Sequence, residues 1–217
     1  MSGPYQPNDE LRARFRYLDL RRTPLSDNIK KRSKVAHIVR SVLHNQGKIN
    51  PACRYKHSRV AGIDFTEVET PVLLRSSPEG AREFLVPARS SAATDTGPKL
   101  PVFYALSQSP QQPKQMLICS GGIDKYFQIA KCFRDEDGRK DRQPEFTQVD
   151  LEMAFVSWGE TSDIVDTLHP RWRIGGGEVR DVAEELVRTI WKDIQGIDLP
   201  EAFNVMTYHE AMTRVRD

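Results

Sequence analysis

The side chains best equipped for chemistry crowd between Phe133 and Gln148. Arg134 stands where an apolar run, Tyr126 to Phe133, gives way to a charged one, so its guanidinium is carried at the end of an ordered element. A guanidinium presents planar, forked donors that match phosphate and carboxylate oxygens in pairs. Arg142 supplies a second cation, and Phe146 offers an aromatic face on which a base can stack. Glu136 can accept from an exocyclic amine. Together these groups would hold a nucleotide without a phosphate loop, and the chain has no GxxxxGK[ST], GxGxxG after a strand, HExxH or GxSxG. Gly175-Gly176-Gly177 lacks the Lys and Ser/Thr that would hold phosphate and metal, and reads as a flexible helix start. Taken by charge pattern alone, residues 134–142 are better described as a surface lattice of ion pairs.

The elements that must carry these residues follow from periodicity. Val149, Leu151, Met153 and Phe155 alternate with Asp150, Glu152 and Ala154, which predicts a strand with one buried apolar face and one polar face. With Tyr126 to Phe133 it makes an antiparallel hairpin closed by the long charged loop Arg134 to Glu145. Upstream, Asp27 to Gln46 predicts a helix capped by Ser26 or Asp27, ended by Gly47, with Val35, Ala36, Ile38, Val39, Val42 and Leu43 on a wide apolar face. Asp64 to Thr70 predicts an extended segment stopped by Pro71, and Val102 to Leu106 a short strand. Residues 48–63 and 90–101 read as loops, and Gly176 to Gln195 as a second amphipathic helix closed by Gly196. A further element begins in Phe203 to Asp217.

Composition sets the frame. A chain of 217 residues, 38% hydrophobic and 29% charged, suits a globular domain with one good core. The net charge of +2 is too small to establish a nucleic-acid partner, although basic residues from Arg12 to Lys34 could meet phosphate or simply face water. No run is long and apolar enough for a membrane span, and Met1 to Pro4 shows no leader pattern. Cys53, Cys119 and Cys132 are odd in number and widely spaced, as suits reduced thiols; Cys53 with His57 is half a metal site lacking its second pair.

The run Phe133-Arg134-Asp135-Glu136-Asp137 with Asp141-Arg142-Gln143-Pro144-Glu145-Phe146-Thr147-Gln148 resembles motif 2 of the class II aminoacyl-tRNA synthetases, in the version of bacterial and organellar aspartyl enzymes. Other segments agree in order. Leu18-Asp19-Leu20-Arg21-Arg22 resembles the stretch after the anticodon-domain hinge. The Asp27–Gln46 helix with the strand to Glu69-Thr70-Pro71 resembles motif 1, the dimer element. Pro78 to Pro87 and Gln108-Ser109-Pro110-Gln111 with Lys114 resemble the aspartate-binding segments.

The resemblance implies an α+β fold of class II type, an antiparallel sheet flanked by helices, incomplete here: motifs 1 and 2 present, motif 3 absent. It implies a lead-in segment, 1–25, following an absent anticodon-binding domain, and part of a catalytic domain, 26–217. It implies an aspartate–tRNA ligase with ATP, L-aspartate and tRNA(Asp) as substrates, and a homodimer formed through the Asp27–Gln46 helix and the strand to Pro71. Arg134 would be the catalytic residue, clasping the α-phosphate and the substrate carboxylate. Asp135, Glu136, Arg142, Gln143 and Phe146 would join it in binding ATP, with Phe146 against adenine. Glu79 would receive the aspartate ammonium, Gln111 and Lys114 would contact the amino acid, and Ser109, Gln148 and Asp150 would line the pocket. Mg²⁺ ligands are expected beyond residue 217, and no metal site within the chain. Insertions at 48–63 and 169–177 and the extra glycine at Gly121-Gly122 depart from the family pattern; the loops at Lys48 and Ser90, with Gly121-Gly122, suggest a mitochondrial matrix enzyme, the alternative being bacterial cytoplasm. Two other functions stay open: a non-catalytic paralogue or fragment binding nucleotide or a partner chain, and a synthetase-like amide ligase.

Overall fold

The computed structural model describes residues 8–46, 63–76, 80, 82–88, 102–139, 142–156, 176–200, 203–204 and 206–214. Glu79, Cys53, His57, the 90–101 stretch and nearly all of 48–63 and 169–177 lie outside them. The chain forms two compact units, residues 43–182 and residues 1–42 with 183–217. The expected boundary after residue 25 falls inside the first long helix.

The first unit is organised by one long hairpin. β5 (Lys125–Phe133) and β6 (Glu145–Met153) pair antiparallel over nine positions, from Lys125↔Met153 to Phe133↔Glu145. β1 (Thr66–Glu67) lies parallel on the other edge of β5, with Thr66 opposite Tyr126. A second three-stranded sheet, β2 (Leu73–Leu74), β4 (Phe103–Leu106) and β3 (Leu85–Pro87), is antiparallel throughout, with β4 central. Backbone bonds join the two: Phe133 N–H donates to Ser107 C=O, and Ser107 N–H to Val72 C=O, each at 2.9 Å. The expected antiparallel sheet is therefore two small sheets, one of them mixed. The strand expected over Asp64–Thr70 pairs only at Thr66–Glu67, because Pro71 offers no ladder donor and the chain leaves the sheet ahead of it.

Directly opposed residues of an antiparallel pair share a face. Phe127 and Leu151 therefore lie on one side, and Tyr126, Gln128 and Cys132 share the other with Glu152, Asp150 and Phe146. Phe127 is fully buried between the rings of Phe65, at 6.5 Å, and His44, at 5.3 Å, both edge-on. The expected buried face of β6 is only partly realised. Val149 is 40% exposed and Phe155 59% exposed, whereas Asp150 is half-buried. Among the described residues β6 is an outer strand, so packing favours β5. The helix α4 (Gln111–Ser120), capped by Gly121 and followed by Gly122 at φ +70°, brings Lys114 to the polar face instead.

The second unit is helical. α1 (Asp9–Arg14) and α2 (Arg16–Asp19) surround the buried Asp19, whose carboxylate is paired with Arg12, Arg16 and Arg22. Burial works against the charged form, but the bond and charge of Arg12, with those of Arg16, outweigh it and hold this carboxyl below its usual range. α3 (Thr23–Leu43) begins four residues earlier than its capping pattern suggests. Pro24 falls in its first turn, where a missing N–H costs no helical bond. The apolar stripe is buried only toward the C-terminal half, at Ile38, Val39 and Leu43, while Ile29 is 58% exposed. α5 (Gly177–Gln195) matches its expected span, with Gly176 and Gly196 both at positive φ. Lys34 donates to Asp193 C=O near its C-terminal end, at 2.6 Å. α6 (Tyr208–Arg214) is closed at its start by Thr207 and Glu210, which exchange hydrogen bonds as a capping box.

Candidate functional site

The tyrosine-bearing face of the β5–β6 hairpin carries the site, and its character changes along its length. At the loop end Arg134 leaves β5 with its backbone N–H bonded to Pro144 C=O, and its guanidinium lies over the Phe146 ring, 5.1 Å from the centroid. The loop beyond folds around an open cleft of about 380 Å³ lined by Arg82, Asp135, Glu136, Asp137, Arg139 and Arg142. Arg142 pairs with Glu136 at 3.2 Å, both exposed, and Asp135 N–H donates to Arg82 C=O at 3.0 Å. Gln143 is exposed in the same loop. Part of the ion-pair lattice suggested by the charge pattern is thus present, and it shapes a concave, mixed-charge wall.

Midway along the face, the buried Cys132 thiol points its hydrogen at Gln148 Oε1, 3.4 Å away. Burial raises its pKa, while the charge of Arg134 pulls it down. Further in, Lys114 reaches down from α4, itself only 7% exposed. Its Nζ donates to Asp150 Oδ1 at 2.8 Å and to Leu151 C=O at 3.4 Å, and stands 3.3 Å from Glu152 Oε2. One ammonium between two carboxylates leaves this end with a net negative charge. Asp150 Oδ2 is buried and finds no hydrogen-bond partner among the described residues. An ionised oxygen is costly to bury without a donor, so this position suits a ligand carrying a cationic N–H.

Behind it, Tyr126 is fully buried and donates to Gln128 Oε1 at 2.7 Å, which also accepts from Thr70 Oγ1 at 2.8 Å. Burial, then the neighbouring Asp150 charge, push the Tyr126 phenol far above its usual range and keep it neutral.

The structure brings Lys114, Gln148 and Asp150 onto this face, and Arg134 with Phe146 at its outer end. Asp135, Glu136 and Arg142 gather around the cleft. Ser109, half-buried, and Gln111, exposed, flank the start of α4. From Phe146 to Asp150 is four residues of strand, about 13 Å at 3.3 Å per residue. Sequence reading missed Thr70, Tyr126 and Gln128 as site residues. The signal available was a glutamine inside an otherwise apolar strand.

Residues 52–171, more than half of the chain, match the family described as tRNA synthetases class II (D, K and N). The chain belongs to that family. It is similar to the aspartate–tRNA(Asp/Asn) ligase of Prochlorococcus marinus (strain AS9601), 46% identical over 94% of this chain and 27% of that protein. It is also similar to the aspartate–tRNA ligase of Staphylococcus carnosus (strain TM300), 43% identical over 97% of this chain and 30% of that protein. The fold is shared with a solved chain from Leishmania major Friedlin assigned as an aspartyl-tRNA synthetase, with a TM-score of 0.59 at 21% identity, covering 90% of this chain and 29% of that one. The chain therefore spans under a third of the length of these relatives. No helix among the described residues is long and apolar enough to cross a membrane.

Proposed function

We propose that the protein is an aspartate–tRNA ligase, and that the β5–β6 face holds aspartyl-adenylate while it forms from L-aspartate and ATP, before transfer to tRNA(Asp). The observation that carries this reading is the polarity of the face. A cation and an aromatic ring stand at one end, and a buried carboxylate with one unpartnered oxygen stands at the other. Adenine takes the place of the guanidinium on Phe146, and Arg134 turns to the α-phosphate, with Glu136, Arg142, Asp135 and Gln143 around the nucleotide. The substrate ammonium donates to Asp150 Oδ2, assisted by Glu79. Lys114 reads the side-chain carboxylate by yielding its longer bonds to Leu151 C=O and Glu152, with Ser109, Gln111 and Gln148 completing the pocket.

The substrate α-carboxylate attacks the α-phosphate in line, forming the mixed anhydride and releasing pyrophosphate. Arg134 stabilises the charge that builds on the phosphoryl oxygens. Among the described residues no group of three or more His, Cys, Asp or Glu could hold a metal ion. In this reading residues 1–25 lead into the catalytic domain and 26–217 form part of it, with motif 1 in α3 and β1 and motif 2 in the hairpin. Motif 3 and the Mg²⁺ ligands are contributed by sequence outside these residues.

Aspartate-dependent ATP–pyrophosphate exchange by the product of the complete gene tests the proposal. Exchange stimulated by aspartate over asparagine and lysine is expected, and its absence overturns the reading. The homodimer proposed through α3 and the strand to Pro71 rests on the width of the α3 apolar stripe, which exceeds one core contact: Ile38, Val39 and Leu43 are buried within the chain while Ile29 stays exposed; a monomer by light scattering in an active preparation contradicts it. The mitochondrial matrix is the proposed location, resting on the inserted stretches at 48–63 and 90–101, and bacterial cytoplasm is the alternative that fractionation distinguishes.

A further inference from the structure

The Tyr126 hydroxyl has one proton and two acceptors beside it. It spends that proton on Gln128 Oε1 at 2.7 Å. Gln128 is the cross-strand partner of Asp150, so the hydroxyl that bends over Gln128 also lies against the Asp150 carboxylate, close enough for that carboxylate's charge and hydrogen bonding to act on the phenol. Asp150 nevertheless keeps Oδ2 buried and unpartnered. A charged carboxylate is the stronger acceptor of the two, so something must hold the hydroxyl on the amide. That restraint is visible: Gln128 Oε1 is pinned from the other side by Thr70 Oγ1 at 2.8 Å, in the segment that follows β1.

We infer that Gln128, anchored by Thr70, is a specificity-determining positioning residue: it holds the Tyr126 proton on its own amide oxygen and off Asp150 Oδ2, and so reserves Oδ2 for the ammonium of the amino-acid substrate. A hydroxyl allowed onto Oδ2 would fill the acceptor and compete with the substrate for it. The amide thereby sets affinity for the amino acid without touching it, and it ties the end of the β1 segment to the pocket. The inference rests on Asp150 receiving the ammonium, as in the function proposed above.

The test uses the product of the complete gene and reads KM for aspartate, KM for ATP and kcat in pyrophosphate exchange. Gln128→Met is expected to raise the aspartate KM about tenfold, the scale of one hydrogen bond to a charged group, with ATP KM and kcat within about twofold. Adding Tyr126→Phe to Gln128→Met removes the competing hydroxyl and is expected to restore the aspartate KM to within about twofold. Tyr126→Phe alone is expected not to raise it. A double variant as impaired as Gln128→Met, or a Tyr126→Phe protein with raised aspartate KM, overturns the inference, because a merely structural network gains nothing from losing a second member. Asp150→Asn separates this from the underlying reading: an unchanged aspartate KM there means that Asp150 does not receive the ammonium. Independently of activity, a crystal structure of Gln128→Met is expected to show Tyr126 Oη within hydrogen-bond distance of Asp150 Oδ2, and a hydroxyl that stays away overturns the inference directly.

Discussion

The two ends of the hairpin face are built on opposite plans. At the inner end Lys114, Asp150, Glu152, Tyr126, Gln128 and Thr70 form a continuous, largely buried network in which nearly every polar atom is committed. At the loop end Arg134 rests on Phe146, Arg142 and Glu136 pair in the open, and the cleft wall is solvent-exposed. Preorganised buried groups need little rearrangement when the right ligand arrives, and they discriminate well because a wrong ligand leaves them unpaired. Exposed groups discriminate poorly but can move. Under the proposed function, selection falls to the inner end and charge stabilisation to the outer one.

The sharpest way to break that division is at Arg134. Arg134→Ala should lower the rate of aspartate activation by about 10²–10³, the scale for losing one preorganised donor to a developing charge, with little change in folding stability. An effect below about threefold in stopped assays of adenylate formation would remove Arg134 from the chemistry. Lys114→Leu should act on both selection and stability. It should raise the aspartate requirement steeply, leave ATP affinity nearly unchanged and narrow the preference over asparagine. It also leaves Asp150 and Glu152 facing each other without their cation, which should cost about 3–5 kcal/mol in denaturant unfolding. A stable variant with wild-type aspartate dependence would show that the inner end does not select.

The buried phenol offers a pH test. Its folded pKa lies above its unfolded one, so its share of stability is complete below about pH 10 and is lost as pH rises from there toward the folded value. Melting temperatures of wild type and Tyr126→Phe should therefore converge, or shift in favour of the variant, above about pH 10. Parallel curves would mean that the phenol is not held neutral by its surroundings. The smallest effect belongs to the outer end: Arg142→Ala or Glu136→Ala should change stability by well under ~1 kcal/mol, because both members of that pair are exposed. A larger loss would mean that the loop is as tightly built as the core.

The sequence revealed the hairpin well because a charged run, 134–144, separates two runs of different periodicity, and its motif residues carried the family. Register was less legible. That Gln128 faces Asp150 depends on where the loop closes, and alternation alone cannot say which face of β6 is covered. The polar face lies under Lys114 while Val149 is left exposed, a result of long-range packing by α4 and Phe65. The start of α3 was misplaced for a local reason: Ser26 and Asp27 look like caps, but Pro24 is accommodated in a first turn, so the helix begins at Thr23. Gln111 and Ser109 were nameable from the family motif, but their placement around the start of α4 is set by the sheet that positions that helix.

The most direct test of the site is a crystal structure of the complete gene product with a non-hydrolysable aspartyl-adenylate analogue. Adenine should lie on Phe146, with Arg134 swung from that ring to the phosphate position and the ammonium hydrogen-bonded to Asp150 Oδ2. An analogue bound away from the β5–β6 face, or bound there with Arg134 still on Phe146 and Asp150 Oδ2 still unpartnered, would contradict it.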